Sequence, residues 1–224
     1  MTKLSTCLAA CALAACAAQG ADLKFLKELV EIPSSSIDYP QVNRATRAMK
    51  AYLEARGLFC TVETDGAGRE LLFAATKPGK VQDYVISAHL DVVPASYEGQ
   101  YTFKNDSGRL SGRGVGDDKG GSLAVAQALA ALAGKDVSVG CIFGADEELG
   151  GFTTTWMVEE KGYRPRRMVI VVDSAYAKIG YATKGQLVVK ATLKDECVQL
   201  AKAVTNTATR TGRPSGRTRI PSTS

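Results

Sequence analysis

Short apolar runs that end abruptly in acids constrain this chain more than any other feature. Val85-Ile86-Ser87 runs into His89-Leu90-Asp91, the run from Val137 to Phe143 ends in Asp146-Glu147-Glu148, and Met168 to Val172 ends in Asp173. Between the first two, a glycine-rich stretch delivers Asp117-Asp118 to the mouth of an apolar helix spaced over 121–132. Buried strands alternating with helices predict an α/β fold, a three-layer sandwich around a mostly parallel sheet. In such a sheet the carboxyl ends of the strands share one edge, so the four polar clusters are expected to converge there.

The remaining elements follow from local signals. Leu23, Leu26, Leu29 and Val30 mark one face of a helix that Ile32-Pro33 stops, and Ser34-Ser35-Ser36 reads as a loop. A second helix is predicted from about Gln41 to Arg56, after Pro40 and before Gly57. Short strands are predicted over Phe59 to Glu63, Leu71 to Ala75 and Tyr84 to Ser87, with turns at 65–68 and 78–79. Residues 96–107 read as a polar surface loop, and Thr154 to Lys161 as a helix.

Composition excludes some functions. The net charge of +5 comes largely from Arg210, Arg213, Arg217 and Arg219, so the body of the chain is near balance and has no basic groove for nucleic acid. Of six cysteines, Cys7, Cys11 and Cys16 lie in the first twenty residues, and Cys60, Cys141 and Cys197 are an odd, scattered set without zinc-finger spacing. Residues 1–20, with Lys3, an apolar Leu/Ala/Cys run and small residues up to Gly20, have the layout of a secretory leader and are too short for a lasting membrane span. Two Leu-Ala-Ala-Cys tetrads also resemble a lipoprotein cleavage box, with Cys16 as the anchor. A secreted or periplasmic location, soluble or lipid-anchored, is therefore expected.

His89 is the single histidine among 224 residues. Asp91, two residues on, is close enough to accept from its second ring nitrogen, the arrangement that fixes the tautomer of a metal-bound imidazole. The alternative is a core histidine satisfied by backbone groups. For Gly112-x-Gly114-x-Gly116 a phosphate cradle is rejected, because the spacing is wrong and Asp117 and Asp118 would repel phosphate. A cation site or simple helix capping remains. Asp146, Glu147 and Glu148 form either a solvated acidic loop or a group held together by a cation or shared proton. One imidazole with several carboxylates suits Zn²⁺, Mn²⁺ or Co²⁺, and two cations about 3.5 to 4 Å apart would match a hydrolytic centre.

SAHLDVVP, GRGVGDDKGG, ADEELGG and VVDSAYAKIGYATKG, in that order and strand context, resemble the di-zinc metallohydrolases that include aminoacylase, acetylornithine deacetylase, succinyl-diaminopimelate desuccinylase, glutamate carboxypeptidase and carnosinase-type dipeptidases. The likeness runs from about Leu23 to Gly185. It implies that His89, Asp117, Glu148 and Asp173 are metal ligands, with Asp117 bridging and Asp173 on the metal that His89 binds. It further implies that Asp91 orients His89, that Glu147 is the general base, and that the Asp117-Asp118 peptide is cis. Asp173 and the tail after it favour the bacterial Xaa-His dipeptidase branch, acting on dipeptides or small peptides. An N-acyl amino acid deacylase and a non-catalytic metal-binding remnant are the alternatives.

The family's pattern also inserts a lid domain and returns to supply a late histidine. Here 22–185 reads as the N-terminal part of the catalytic domain, 186–204 as the start of a lid, and 205–224 as a disordered tail. The chain is thus expected to be the N-terminal part of such an enzyme, weakly active or inactive alone.

Overall fold

The computed structural model describes residues 21–173; the leader, the start of the lid and the tail expected from the sequence lie outside the described residues. Helix α1 spans Ala21–Glu31 and α2 spans Tyr39–Glu54. The second helix starts two residues earlier than its spacing predicts, because the Asp38 side chain accepts from Gln41 N and Pro40 fits the first turn, where no N–H is needed. Strands β1 (Phe59–Thr64), β2 (Glu70–Ala75) and β3 (Val81–His89) follow, then β4 (Lys104–Asp106) and β5 (Arg109–Ser111). Helix α3 (Lys119–Leu132), β6 (Val139–Gly144), a 3-10 turn (Glu147–Leu149), α4 (Phe152–Glu159) and β7 (Arg164–Val171) complete the described elements.

The main sheet has the order β1-β2-β6-β3-β7. β3 pairs parallel with both β6 and β7, whereas β2 pairs antiparallel with β1 and β6. Four of the five strands therefore point the same way, with β2 reversed, and the sheet is mostly parallel as expected. β4, at the end of the stretch 96–107 read as loop, and β5 just beyond it form a separate antiparallel hairpin; strands of three residues are too short to show an apolar alternation by which to be recognised.

The strands at the centre are buried on both faces, which is why they read as continuous apolar runs. Along β2 the side chains alternate: Leu72 and Ala74 join α1, α2 and α3 in one core, and Leu71, Phe73 and Ala75 pack with Met157 of α4 in the other. Helices thus cover both faces, giving the three layers. Among the described residues no helix is long and apolar enough to cross a membrane.

Candidate metal centre

β3 and β6 are adjacent and parallel, with His89 in register with Gly144. The histidine at the end of β3 and the acids just beyond β6 are therefore side by side. Leu90 N donates to Gly144 O at 3.0 Å, and Val172 N to Ser87 O at 2.9 Å, so the same strand end also fixes the approach to Asp173. Asp117 enters from the other direction, on the turn before α3, joined to Asp118 by a cis peptide.

These elements bring ligand atoms of His89, Asp117 and Asp173 within 4.8 Å of one another. His89 Nε2 lies 3.1 Å from Asp117 Oδ1 and 3.9 Å from Glu147 Oε2. Donors bound at about 2.0 to 2.2 Å around a tetrahedral zinc are themselves a little over 3 Å apart; His89 Nε2 and Asp117 Oδ1 have that separation, and Asp173 lies within the 4.8 Å that bounds the group. Glu148 has turned towards Asp117: both line one cavity, and Glu148 Oε1 accepts from Val93 N at 3.3 Å.

Asp91 is wholly buried and serves four groups at once. Its Oδ1 is 3.3 Å from His89 Nδ1 and accepts from Glu147 N at 3.1 Å, while Oδ2 accepts from Ser36 Oγ at 2.7 Å and Glu148 N at 3.3 Å. The main-chain carbonyl of Asp91 lies closer to Nδ1, at 3.0 Å, so the ring nitrogen is shared between the carbonyl and the carboxylate. Either acceptor leaves Nε2 facing Asp117.

The charges set one another. Burial disfavours the imidazolium of His89, but the Asp91 carboxylate and the charges of Asp118 and Glu147 outweigh it and raise the ring to about 10. Burial pushes against the Asp91 carboxylate too, and its bonds from His89 and Ser36 hold it below the ordinary range. Glu147 and Glu148 are both raised, by burial first and by the surrounding carboxylates, with His89 opposing. Such crowding of acids on one imidazole is the electrostatic setting in which a cation is favoured.

Three features run against the reading of single stretches. Asp146 does not belong with Glu147 and Glu148: it turns into the other core, where it is fully buried, pairs with Arg69 at 2.9 Å and receives Thr153 N at 3.1 Å and the Thr153 hydroxyl. Asp118 stands at the N-cap of α3 but makes no side-chain cap bond; burial raises its carboxyl to about 7, and Oδ2 receives His89 N at 3.3 Å. Gly120 and Gly121 permit this crowding, since a Cβ on Gly121 would lie 2.0 Å from Asp118 Oδ1 and one on Gly120 would lie 2.1 Å from Val115 O. Finally, the serine triplet is no free loop. Ser34 Oγ donates to Leu90 O at 2.7 Å and Val92 N to Ser34 O at 2.9 Å, pinning the His89 corner to the end of α1. Lys119 does the same from the other side, its buried ammonium donating to Leu29 O and Ile32 O at 2.8 and 2.7 Å. Sequence reasoning missed Ser36, Arg69 and Lys119; a lysine heading an otherwise small and apolar helix is the one signal that could have found Lys119.

Residues 85–214, more than half of the chain, match the model of the family described as Peptidase family M20/M25/M40. Among solved structures the chain is similar to the di-peptidase Dug1p from Saccharomyces cerevisiae, with 17% identity and a TM-score of 0.60 over 74% of this chain and 41% of that one. It is also similar to human carnosine dipeptidase 1 (22%, 0.57, 68% and 38%) and to an M20 family metallo-carboxypeptidase, Sso-CP2, from Sulfolobus solfataricus (20%, 0.60, 70% and 38%). At these identities the likeness is one of fold, and the chain spans about two fifths of the length of the structures it matches. No curated protein matches.

Proposed function

Because the chain belongs to peptidase family M20/M25/M40, we propose that it carries the catalytic face of a metal-dependent peptide hydrolase acting on dipeptides or small peptides. The observation behind this reading is the meeting of one imidazole and two carboxylates within 4.8 Å, with the Glu147 carboxylate 3.9 Å from the imidazole. In this reading His89, Asp117 and Asp173 would hold one cation, with Glu148 beside Asp117 available to a second. Zinc suits the donor set, with Mn²⁺ and Co²⁺ as alternatives. A divalent cation held there would supply Lewis acidity, making water nucleophilic near neutral pH and polarising the scissile carbonyl. Glu147, whose Oε2 lies 3.9 Å from His89 Nε2, would take the proton from the attacking water and return it to the leaving amine. Asp91 keeps His89 Nε2 turned towards Asp117 and holds the main chain of Glu147 and Glu148 in place.

The test is Glu147→Gln in the zinc-loaded chain, assayed on dipeptides and on acetyl- and succinyl-amino acids. The variant is expected to keep its metal and lose hydrolysis by roughly 10²- to 10⁴-fold; loss of the metal as well would tell against the assignment. Preference for acyl-amino acids would select a deacylase. One observation favours a second reading. The 224 residues contain one histidine, so among the described residues the second cation would have Asp117 and Glu148 and no imidazole, and the chain's own rate is expected to be low. One cation per chain with no hydrolysis would select a metal-binding role without turnover. Export by residues 1–20, with or without lipidation at Cys16, is proposed alongside; cell fractionation and the mass of the mature N-terminus test it.

A further inference from the structure

A wholly buried lysine heads α3, two residues after Asp117. We propose that Lys119 is a positioning residue for the metal centre: by fastening the turn before α3 to the end of α1, it holds the Asp117 carboxylate against His89. The inference rests on the metal reading given above and concerns what keeps one of its ligands in place. Asp117 needs such a hold. Its side chain is 64% exposed, so the main chain of the turn, rather than packing around the carboxylate, sets the 3.1 Å separation from His89 Nε2. Bonds within the turn are local, from Val115 N to Gly112 O at 3.1 Å and from Gly120 N to Gly114 O at 3.3 Å. Asp118 and Ser122 join it to β3, through His89 N at 3.3 Å and His89 O at 2.8 Å. Lys119 adds the tie to α1.

Its acceptors are carbonyls that α1 cannot fully satisfy. The helix ends at Glu31, and the donor that would continue it for Leu29 O belongs to residue 33, which is proline and has no N–H. The corresponding donor for Ile32 O, the N–H of Ser36, is turned away to Val92 O at 3.1 Å. Short-range bonds from Ile32 N and Ser34 N use one lone pair on each carbonyl, and the ammonium takes up the second, at 2.8 Å from Leu29 O and 2.7 Å from Ile32 O. A cation is also favoured there by the dipole of α1, whose negative end it meets.

The neighbouring glycines are shaped around this side chain. A Cβ on Gly114 would lie 2.8 Å from Lys119 Cδ and 3.1 Å from Cγ, so the aliphatic stem runs directly along the Gly114 main chain. One on Gly120 would lie 2.1 Å from Val115 O, which closes the turn behind the lysine. The close approach that the glycines permit is therefore to a residue of the chain itself. With the ammonium removed, both carbonyls lose a donor and the turn loses its fastening to α1, and Asp117 moves with the turn.

The test measures zinc affinity of the full chain, by competition with a chromophoric chelator, together with the visible spectrum of its cobalt-loaded form. Lys119→Met is compared with Leu53→Ala, a control for lost stability alone. Leu53 is fully buried at the far end of the sheet, where Leu58 N donates to its carbonyl and Phe59 pairs with Ala75, itself in register with Gly140. Lys119→Met is expected to weaken zinc binding by roughly 10- to 100-fold, as loss of a ligand's support does, and to shift the cobalt bands. Leu53→Ala is expected to lower the thermal midpoint and leave both metal readouts unchanged. Lys119→Arg, which keeps cationic donors on a longer stem, is expected to bind zinc with an affinity between those of Lys119→Met and the unaltered chain. Should Lys119→Met fail to fold, Lys119→Arg carries the test, with zinc affinity reduced and the cobalt bands shifted relative to Leu53→Ala. Zinc affinity and cobalt bands unchanged in the Lys119 variants, or altered equally in Leu53→Ala, would overturn the inference while leaving the metal centre standing. An unaltered chain that binds no zinc would end the metal reading, and the inference with it.

Discussion

Replacing Arg69 with methionine should unfold this chain far more easily than its position in a surface turn suggests. Arg69 Nη1 lies 2.9 Å from Asp146 Oδ2, and the Asp146 carboxylate has no exposed surface. Without the guanidinium, Asp146 keeps only the main-chain N–H and hydroxyl of Thr153. Leaving a buried charge without its counter-ion costs about 3 to 5 kcal/mol, a large share of the roughly 5 to 15 kcal/mol that holds such a domain together. Asp65 also loses its partner, but it retains bonds from the main-chain N–H groups of Ala67 and Arg69, both at 2.9 Å, so its share is small. With a urea dependence of about 2 kcal/mol per M, a loss near 4 kcal/mol would lower the unfolding midpoint by roughly 2 M. Adding Asp146→Asn to Arg69→Met should recover about half of the loss, because an amide oxygen still accepts from Thr153 and no charge is left buried. A loss below about 1 kcal/mol for Arg69→Met, or no recovery in the double variant, would refute the assignment of Asp146 as a buried, cation-dependent anchor.

Other outcomes follow from the same geometry. Asp91→Asn should weaken zinc binding by about 10- to 100-fold in a competition titration with a chromophoric chelator, since it loosens His89 together with the main chain of Glu147 and Glu148; unchanged affinity would remove Asp91 from the site. Gly121→Ala should destabilise the chain by about 1 to 3 kcal/mol, because the new methyl group displaces Asp118 from His89 N. Gly66→Ala, which meets nothing within 4 Å, serves as the control in the same thermal melts. Below about pH 4 a stabilising contribution should fade. Burial opposes the Asp65 carboxylate, yet the main-chain and side-chain bonds from Arg69 hold it below its ordinary 3.8, so it stabilises the fold above that value and the contribution is lost as pH falls through the lowered one. Asp65→Asn should flatten the acid limb of a stability profile, and an unaltered limb would exclude this source.

β6 was legible because burial on both faces writes itself as an unbroken apolar run, and β7, although largely exposed along the edge of the sheet, carries a run of the same kind; the acids that follow interrupt both sharply. Parallel neighbours then bring such interruptions together, as His89 and Gly144 do in register. What could not be read were partnerships between residues whose separation in sequence says nothing about their meeting. Arg69 finds Asp146 across 77 positions and Ser36 finds Asp91 across 55. Adjacency misled as well. Glu147–Leu149 is a 3-10 turn that follows directly on Asp146, so three consecutive acids leave in different directions. Asp118 was a natural helix cap by position, yet the close approach at Gly121 turns its carboxylate towards the histidine strand instead. The β4–β5 hairpin was missed because its exposed strands have little apolar surface to place.

Asp91 draws its support from Ser36 upstream and from the main chain of Glu147 and Glu148 downstream. The family match begins at residue 85, so a protein trimmed to that span would retain every proposed ligand and the proposed base. It would lack Ser36, whose hydroxyl sits on the central carboxylate, and Arg69, whose charge keeps the residue before Glu147 in place. Such a minimal piece would have the right chemistry with nothing to brace it, and anyone cutting this domain down for expression should begin upstream of α1.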